Sequence, residues 1–403
     1  MSIPPVVRSF VVFLLLALGL GPAVVQAQEA TPVVNGAAPL EMVASGLTNP
    51  RGMTWGADGT LFVALAGSGG TNPATEDAPT TQAIGPFHGG PTAAVVSIGS
   101  DQCPVLVAGG LPSSLTGTGE VLGADDVAIL GDQLYAAVDG GGAVHGNADA
   151  PSGVYRLLAD GTSELVADLS AWVRANPVAT IPGDHDPDAA GYSIVADEAT
   201  GVLWVSDPNS GQILSVTPAG EITRVVDLSA GHPVPTKMVA DPQGGVYVGT
   251  LTTVPFPDGT AKVMHVAADG TVTDVWTGLT AVTDVAVGAD GSLYAIEMST
   301  GNLQQPPFLQ PGSGKLVHQT GPDQSETIAQ GLMFPIAMDM GPDGALYIAM
   351  PGIGANAGNG TIMRLALSGG MEASPVSATG STCSPIPGTL TAPGTPAATP
   401  VAG

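Results

Sequence analysis

Two cysteines, nine lysines and arginines, and a charged fraction of 11% are the first facts of this 403-residue chain. Each scarcity excludes something. Cys103 and Cys383 match no metal-binding cysteine spacing. In an exported chain they are free either to pair, tying the C-terminal segment to the body, or to remain unrelated thiols. With 35 acidic residues and a formal net charge of −26, the surface repels nucleic acid and anionic membranes; it suits cations, basic partners or plain solubility. No G-x-S-x-G elbow, H-E-x-x-H helix or phosphate-binding glycine loop is present, so nucleophilic catalysis and the common zinc and nucleotide motifs have no support. Gly67-Ser68-Gly69-Gly70 lies in a loop of a strand-rich chain and reads as a flexible connection.

Long apolar runs are missing as well, apart from Phe10 to Leu20. That run follows Arg8, is broken by Gly21-Pro22, and precedes the small-residue site Val25-Gln26-Ala27. Residues 1–27 are therefore read as a signal peptide and the chain as secreted. Residues 28–40 read as a linker. Residues 368–403, rich in Pro, Thr, Ser and Ala, read as a disordered tail.

Aromatics make up 4% of the chain, yet one recurs at a fixed place. Leu61-Phe62-Val63-Ala64, Leu134-Tyr135-Ala136-Ala137, Leu203-Trp204-Val205-Ser206, Val246-Tyr247-Val248-Gly249, Leu293-Tyr294-Ala295-Ile296 and Leu346-Tyr347-Ile348-Ala349 repeat one phrase. Successive copies lie 43 to 73 residues apart. Periods of this size mark propellers and solenoids. Each repeat carries four short β-runs joined by Asp-Gly and related turns, in the order outer, inner, middle, third. The last repeat lacks an outer run, and the segment from Glu41 to Gly46 is left over to supply it. The fold class is thus all-β: a six-bladed β-propeller over residues 41–367, with four-stranded blades and an N-terminal strand closing the last blade. The aromatic column is expected to fill the wedge between blades. The one helix-like stretch, Leu169 to Ala175, reads as a short turn on a loop.

Aligned on the turns that follow them, the inner strands give the column Gly52, Asp126, Ser193, Lys237, Asp284 and Ala337. Inner strands line a propeller's channel. Asp126, Ser193, Lys237 and Asp284, with Arg51 nearby, are the candidate ligand-binding residues; the alternative is a solvated polar plug. The position after each phrase adds Asp207 and Glu297, so Asp126, Asp207, Asp284 and Glu297 form a candidate metal set for Ca²⁺ or another divalent cation. Capping of loops by Asp and Asn is the plainer reading of Asp207 and Asn209. Asp184-His185-Asp186-Pro187-Asp188 has D-x-D-x-D spacing, but Ala189 and Val195 stand where an EF-hand needs Gly and Glu. It is either a ligand-facing rim loop or an ordinary solvated one. The six histidines show no metal spacing. The long connections near residues 67–91, 140–152, 175–190 and 301–314 should emerge on one face, the expected binding face.

Several phrases together resemble a known family: Val43 to Met53 (VASGLTNPRGM), Asp58 to Ala64, Pro235-Thr236, Val248 to Thr252 with Pro255-Phe256-Pro257, and Asp284-Val285-Ala286 with Tyr294 to Glu297. Over about residues 41–367 the chain resembles the ScyD/ScyE family, named for scytonemin biosynthesis and of the NHL/SMP-30-like propeller type. The resemblance implies an exported six-bladed propeller with no established catalytic activity. The matching positions are Pro50, Arg51, Gly52, Asp126, Pro255 to Pro257, Asp284 and Glu297. Where that family often has Glu after the first phrase, this chain has Leu65, which weakens a metal site in blade 1. Nothing in the residues points to an indole or phenolic substrate.

The first functional expectation is a monomeric binding or scaffold propeller taking a small polar ligand, glycan or protein on its loop face. The second is a divalent-metal-dependent hydrolase of the lactonase kind built on the channel acids.

Overall fold

The structure is a computed structural model that describes residues 32–34, 39–76, 85–183, 185–354, 358–367 and 383. The expected signal peptide, most of the linker and all of the tail except Cys383 lie outside the described residues.

Six antiparallel sheets form a ring. From the axis outward, blade 1 is Pro50–Trp55, Leu61–Leu65, His88–Ile98 and Pro104–Leu115. Blade 2 is Ala124–Leu130, Gln133–Val138, Gly153–Leu157 and Ser163–Asp168. Blade 3 is Ser193–Asp197, Val202–Asp207, Gln212–Val216 and Ile222–Asp227. Blade 4 is Pro235–Ala240, Val246–Thr250, Ala261–Val266 and Val272–Leu279. Blade 5 is Val282–Val287, Leu293–Glu297, Gly314–Gly321 and Gln324–Leu332. Blade 6 is Ala337–Met340, Ala345–Met350 and Gly360–Ala366, completed by Glu41–Leu47. Glu41 pairs with Arg364 and Leu47 with Gly360, so the N-terminal strand closes the ring.

One boundary needs correction. The run that opens each sequence repeat is the outer strand of the preceding sheet. Pro104–Leu115, next to Cys103, pairs with His88–Ile98 and so ends blade 1 rather than starting blade 2. The turns Asp160-Gly161, Ala219-Gly220 and Asp269-Gly270 accordingly join third to outer strands within one sheet. Two sheets are larger than expected. Val33–Val34, read as linker, pairs beyond the outer strand of blade 5, and Asn72–Pro73 and Val121–Leu122 extend blade 1.

The repeated aromatic explains how flat sheets become a ring. Each one packs on the following blade: Tyr135 with Ile194 and Leu203, Trp204 with Met238 and Val248, and Tyr347 edge-on to Trp55 at 4.7 Å. Phe62, Tyr247 and Tyr294 repeat the contact in their own wedges. Sheets are two-faced, so each blade buries apolar residues on both sides and the core is distributed between blades. The one helix among the described residues, Leu169–Ala175, is capped by Asp168, whose carboxylate accepts from the Ala171 amide. Cys103 and Cys383 form a disulfide. No helix of the described residues is long and apolar enough to cross a membrane.

Candidate functional site

The inner strands touch one another in a closed circle around the axis. The polar column follows one hydrogen-bonding rule there. Asp126 accepts from the amide of Ile194 at 3.0 Å, Ser193 from that of Met238 at 3.0 Å, and Asp284 from that of Met338 at 2.8 Å. In every case the donor is the residue after the column position in the next blade. Buried amides must find acceptors, and short polar side chains on a neighbouring strand supply them. Ser193 also donates to Asp126 at 2.9 Å, linking blades 2, 3 and 4. Gly52 is required on the remaining side, because a Cβ there would overlap the Asp126 carboxylate.

Lys237 is the cation of this layer and is 2% exposed. Its Nζ donates to the carbonyls of Asp125 at 2.6 Å and Tyr192 at 2.9 Å, lies 3.4 Å from Asp126 Oδ2, and sits 4.8 Å over the Tyr192 ring. Arg51 Nε lies 3.3 Å from Asp125 Oδ1, and its Nη2 donates to Val121 O at 2.9 Å. Burial raises the pKa of Asp126 and of Asp284 although Lys237 opposes it. Burial likewise carries Asp125 up to about 6 against Arg51 and Lys237. Beside this layer lies a cavity of about 230 Å³, lined by Asp126, Lys237, Asp284 and a further acid, Asp339. Asp339 is pushed up to about 7 by burial.

The structure therefore brings together Asp126, Ser193, Lys237 and Asp284, with Arg51 one contact away through Asp125. It does not bring Asp207 or Glu297 to that cavity. Asp207 accepts from Ser210 N at 3.2 Å and Gln212 Nε2 at 2.9 Å, and Glu297 from Thr280 N at 2.7 Å, so both cap loops. Among the described residues, the set of His, Cys, Asp or Glu whose ligating atoms all lie within 4.8 Å of one another is His145, Asp186 and Asp188. It stands on the loop face. Asp186 and Asp188 come from the acidic run, and their burial overturns the solvated-loop reading.

This rim is interlocked. His145 Nε2 is 2.8 Å from Asp186 Oδ2, and its Nδ1 is 2.8 Å from the Gly141 carbonyl. A carbonyl only accepts, so Nδ1 carries a proton; a second proton on Nε2 completes an imidazolium between two acceptors. Burial opposes that charge, but Asp186, Asp139 and Asp188 outweigh it and carry the pKa up to about 10. Asp188 accepts from Val144 N at 2.7 Å and from Arg174 at 2.7 Å, and Arg174 also grips Glu76 through two bonds of 3.0 Å. Asp186 N donates to Asn209 Oδ1 at 2.9 Å. Insertions of blades 1, 2 and 3 are thus fastened into one surface. The donor set fits a divalent cation chemically, and a proton on Nε2 occupies the equivalent electrostatic role. Spacing did not reveal this group, because His145 and Asp186 are 41 residues apart.

A second loop-face feature is a cavity of about 600 Å³ between blades 3 and 4, reaching from Asp227 and His232 to Thr252, Lys262 and Asp274.

Comparison with known proteins agrees with the ring. A structure described as an oxidoreductase (glucose dehydrogenase) from Thermus thermophilus superposes with a TM-score of 0.51 over 81% of this chain and 99% of its own, at 16% identity. A glucose dehydrogenase structure superposes with a TM-score of 0.51 over 82% of this chain and 100% of its own, at 12% identity. Another glucose dehydrogenase gives 0.50 over 82% and 100%, at 13% identity. The shared property is the six-bladed β-propeller fold. No family model matches the chain, and no curated protein sequence matches it.

Proposed function

We propose that this chain is an exported binding propeller that takes a small polar ligand, a glycan or a protein partner on its loop face; the ScyD/ScyE resemblance implies export and the propeller, and the loops carry the binding. The observation that carries this reading is the division of labour between channel and rim. Asp126, Ser193 and Asp284 are engaged by backbone amides of neighbouring blades, which is a structural task. The rim instead holds buried charges on long connections fastened across three blades, a pre-organised surface of the sort binding loops use.

The divalent-metal-dependent hydrolase is the second reading. His145, Asp186 and Asp188 favour it, which moves its centre from the channel acids to the rim. Ca²⁺ or a softer divalent ion held there would polarise a carbonyl or activate water.

One experiment separates the two. The purified secreted protein is analysed for metals before and after EDTA, and a library of small polar compounds is screened by thermal shift with and without Ca²⁺ and Zn²⁺. Metal-independent hits support the binding propeller. One stoichiometric ion, lost together with thermal stability, overturns it in favour of the hydrolase. No hit and no ion would refute both as stated.

A further inference from the structure

The asparagines of the described residues differ in one chemical respect. The amide nitrogen that follows an asparagine can attack the side-chain carbonyl carbon and close a five-membered ring. Asn49, Asn72 and Asn176 precede prolines, which have no N–H to give up. Asn147, Asn209 and Asn302 are followed by residues with side chains, and their own amides are held. Asn147 Nδ2 donates to Ser113 O at 2.9 Å and Gly140 O at 2.7 Å, Asn209 Nδ2 to Asp186 O at 2.8 Å, and Asn302 Nδ2 to Phe256 O at 2.9 Å. Asn359 has neither protection. Glycine follows it, so no Cβ obstructs ring closure. Asn359 is also exposed, and among the described residues no hydrogen bond holds its side chain.

Its place in the fold makes this matter. Asn359 stands in the turn that opens the third strand of blade 6, Gly360–Ala366, the partner of the closing strand Glu41–Leu47. Gly360 pairs with Leu47 on the last rung of that ladder, and the ladder shifts register between Met42 and Ala44 and again between Ala44 and Leu47. End rungs fray, and fraying gives Gly360 N the freedom to reach Asn359 Cγ. Back in its seat, Gly360 has no room to spare. A Cβ on it would overlap the Pro50 ring and press on Leu47 O.

We infer that Asn359-Gly360 is a spontaneous deamidation site whose isoaspartyl product loosens the closing strand of the ring. Gly360 N forms a bond to Asn359 Cγ, the Cγ–Nδ2 bond breaks, and ammonia leaves with the proton that Gly360 N gives up. Water then opens the succinimide at either carbonyl. Opening at Cγ leaves an aspartate in an ordinary peptide chain. Opening at the main-chain carbonyl routes the chain through Cβ and Cγ, which inserts one extra carbon directly before Gly360. That carbon carries Gly360 off its seat between Pro50 and Leu47. Both products add one negative charge to a chain already at −26, so the extra carbon, not the charge, is the new element. The reaction consumes only water, and its extent records the age of each molecule.

The test ages the full-length secreted protein at 37 °C, at pH 6 and at pH 8.5. Peptides are mapped by mass spectrometry, isoaspartate is labelled with an isoaspartyl methyltransferase, and hydrogen exchange is measured on fresh and aged samples. The peptide containing Asn359 gains about 1 Da, faster at pH 8.5 because base removes the proton from Gly360 N, while Asn147, Asn209 and Asn302 stay intact. In the isoaspartyl fraction, exchange in Glu41–Leu47 and Gly360–Ala366 accelerates at least about tenfold, and blade 3 is unchanged. Asn359→Gln, whose longer side chain closes a ring far more slowly, keeps both strands protected through the same ageing. Fresh Asn359→Asp, which carries the charge without the extra carbon, exchanges like the fresh parent. An intact Asn359 after ageing at pH 8.5, equal loss at the other asparagines, or labelled isoaspartate with unchanged exchange overturns the inference. Fast exchange in fresh Asn359→Asp overturns it too, because charge alone would then account for the loosening.

Discussion

Replacing Lys237 by Met tests how the channel is held together. The substitution keeps the length and apolar stem of the side chain and removes one ammonium. Two carbonyls, Asp125 O and Tyr192 O, lose their donor, and Asp126 loses the charge 3.4 Å from its Oδ2. Hydrogen bonds from charged donors contribute about 1.5–3 kcal/mol each, and removing one member of a buried ionic group costs about 3–5 kcal/mol. Two such bonds come to about 3–6 kcal/mol and the ionic route to about 3–5 kcal/mol, so a loss of several kcal/mol is expected at pH 7.5. The loss should depend on pH. Asp126 and Asp284 already titrate above the ordinary aspartate value in the folded protein, and losing Lys237 raises them further. A carboxyl whose folded pKa exceeds its unfolded one gives stability that is intact below the unfolded pKa and lost as pH rises through the folded one. The loss of the two carbonyl bonds persists at every pH, but the part due to the carboxylates fades on acidification, so the variant should lose less at pH 4.5 than at pH 7.5. Urea unfolding at pH 4.5 and 7.5 measures this, and Lys237→Met/Asp126→Asn should lose less than the sum of its single changes. A cost below about 1 kcal/mol at pH 7.5, or one that does not vary with pH, would refute the view of Lys237 as the central counter-ion.

Other substitutions probe neighbouring parts. Gly52→Ala should cost about 3 kcal/mol or more in denaturant unfolding by forcing a Cβ into the Asp126 carboxylate, and Gly52→Ala/Asp126→Ala should recover part of that loss. Asp339 is raised to about 7, so Asp339→Asn should stabilise by about 1–2 kcal/mol at pH 8 and leave stability at pH 4 unchanged; equal Tm shifts at both pH values would contradict its burial as the cause. Arg174→Ala leaves Asp188 buried without its guanidinium and frees Glu76; hydrogen exchange should accelerate in the connections near residues 72–76 and 142–145, while the protection of blade 5 stays unchanged. Since His145 is raised to about 10 and its contribution is complete below the ordinary histidine pKa, the same rim should loosen progressively as pH climbs from 7 to 10, and His145→Gln should abolish that alkaline change.

Much of this was readable before any coordinates. The aromatic phrase set the blade count because wedge filling needs a large flat side chain at one strand position. The leftover segment at Glu41 revealed closure for the same reason that open edges are avoided. Counting along inner strands aligned Asp126, Ser193, Lys237 and Asp284 correctly. Their partners escaped notice because they are backbone amides, which sequence does not label. The rim cluster was hidden for another reason: His145 reaches Asp186 through loops whose paths no periodicity constrains.

Closure by Glu41–Leu47 has a consequence for how the chain is made. The partner of that strand, Gly360–Ala366, is the last strand of the ring to be synthesised. Until it arrives, the first strand lacks its partner in the ring. A product that stops short of blade 6 is consequently not a slightly smaller version of the protein but an open arc, sticky at both ends and easily recognised by quality control. The first and last strands of the ring thus act together as a latch that shuts only once the sixth blade has been made.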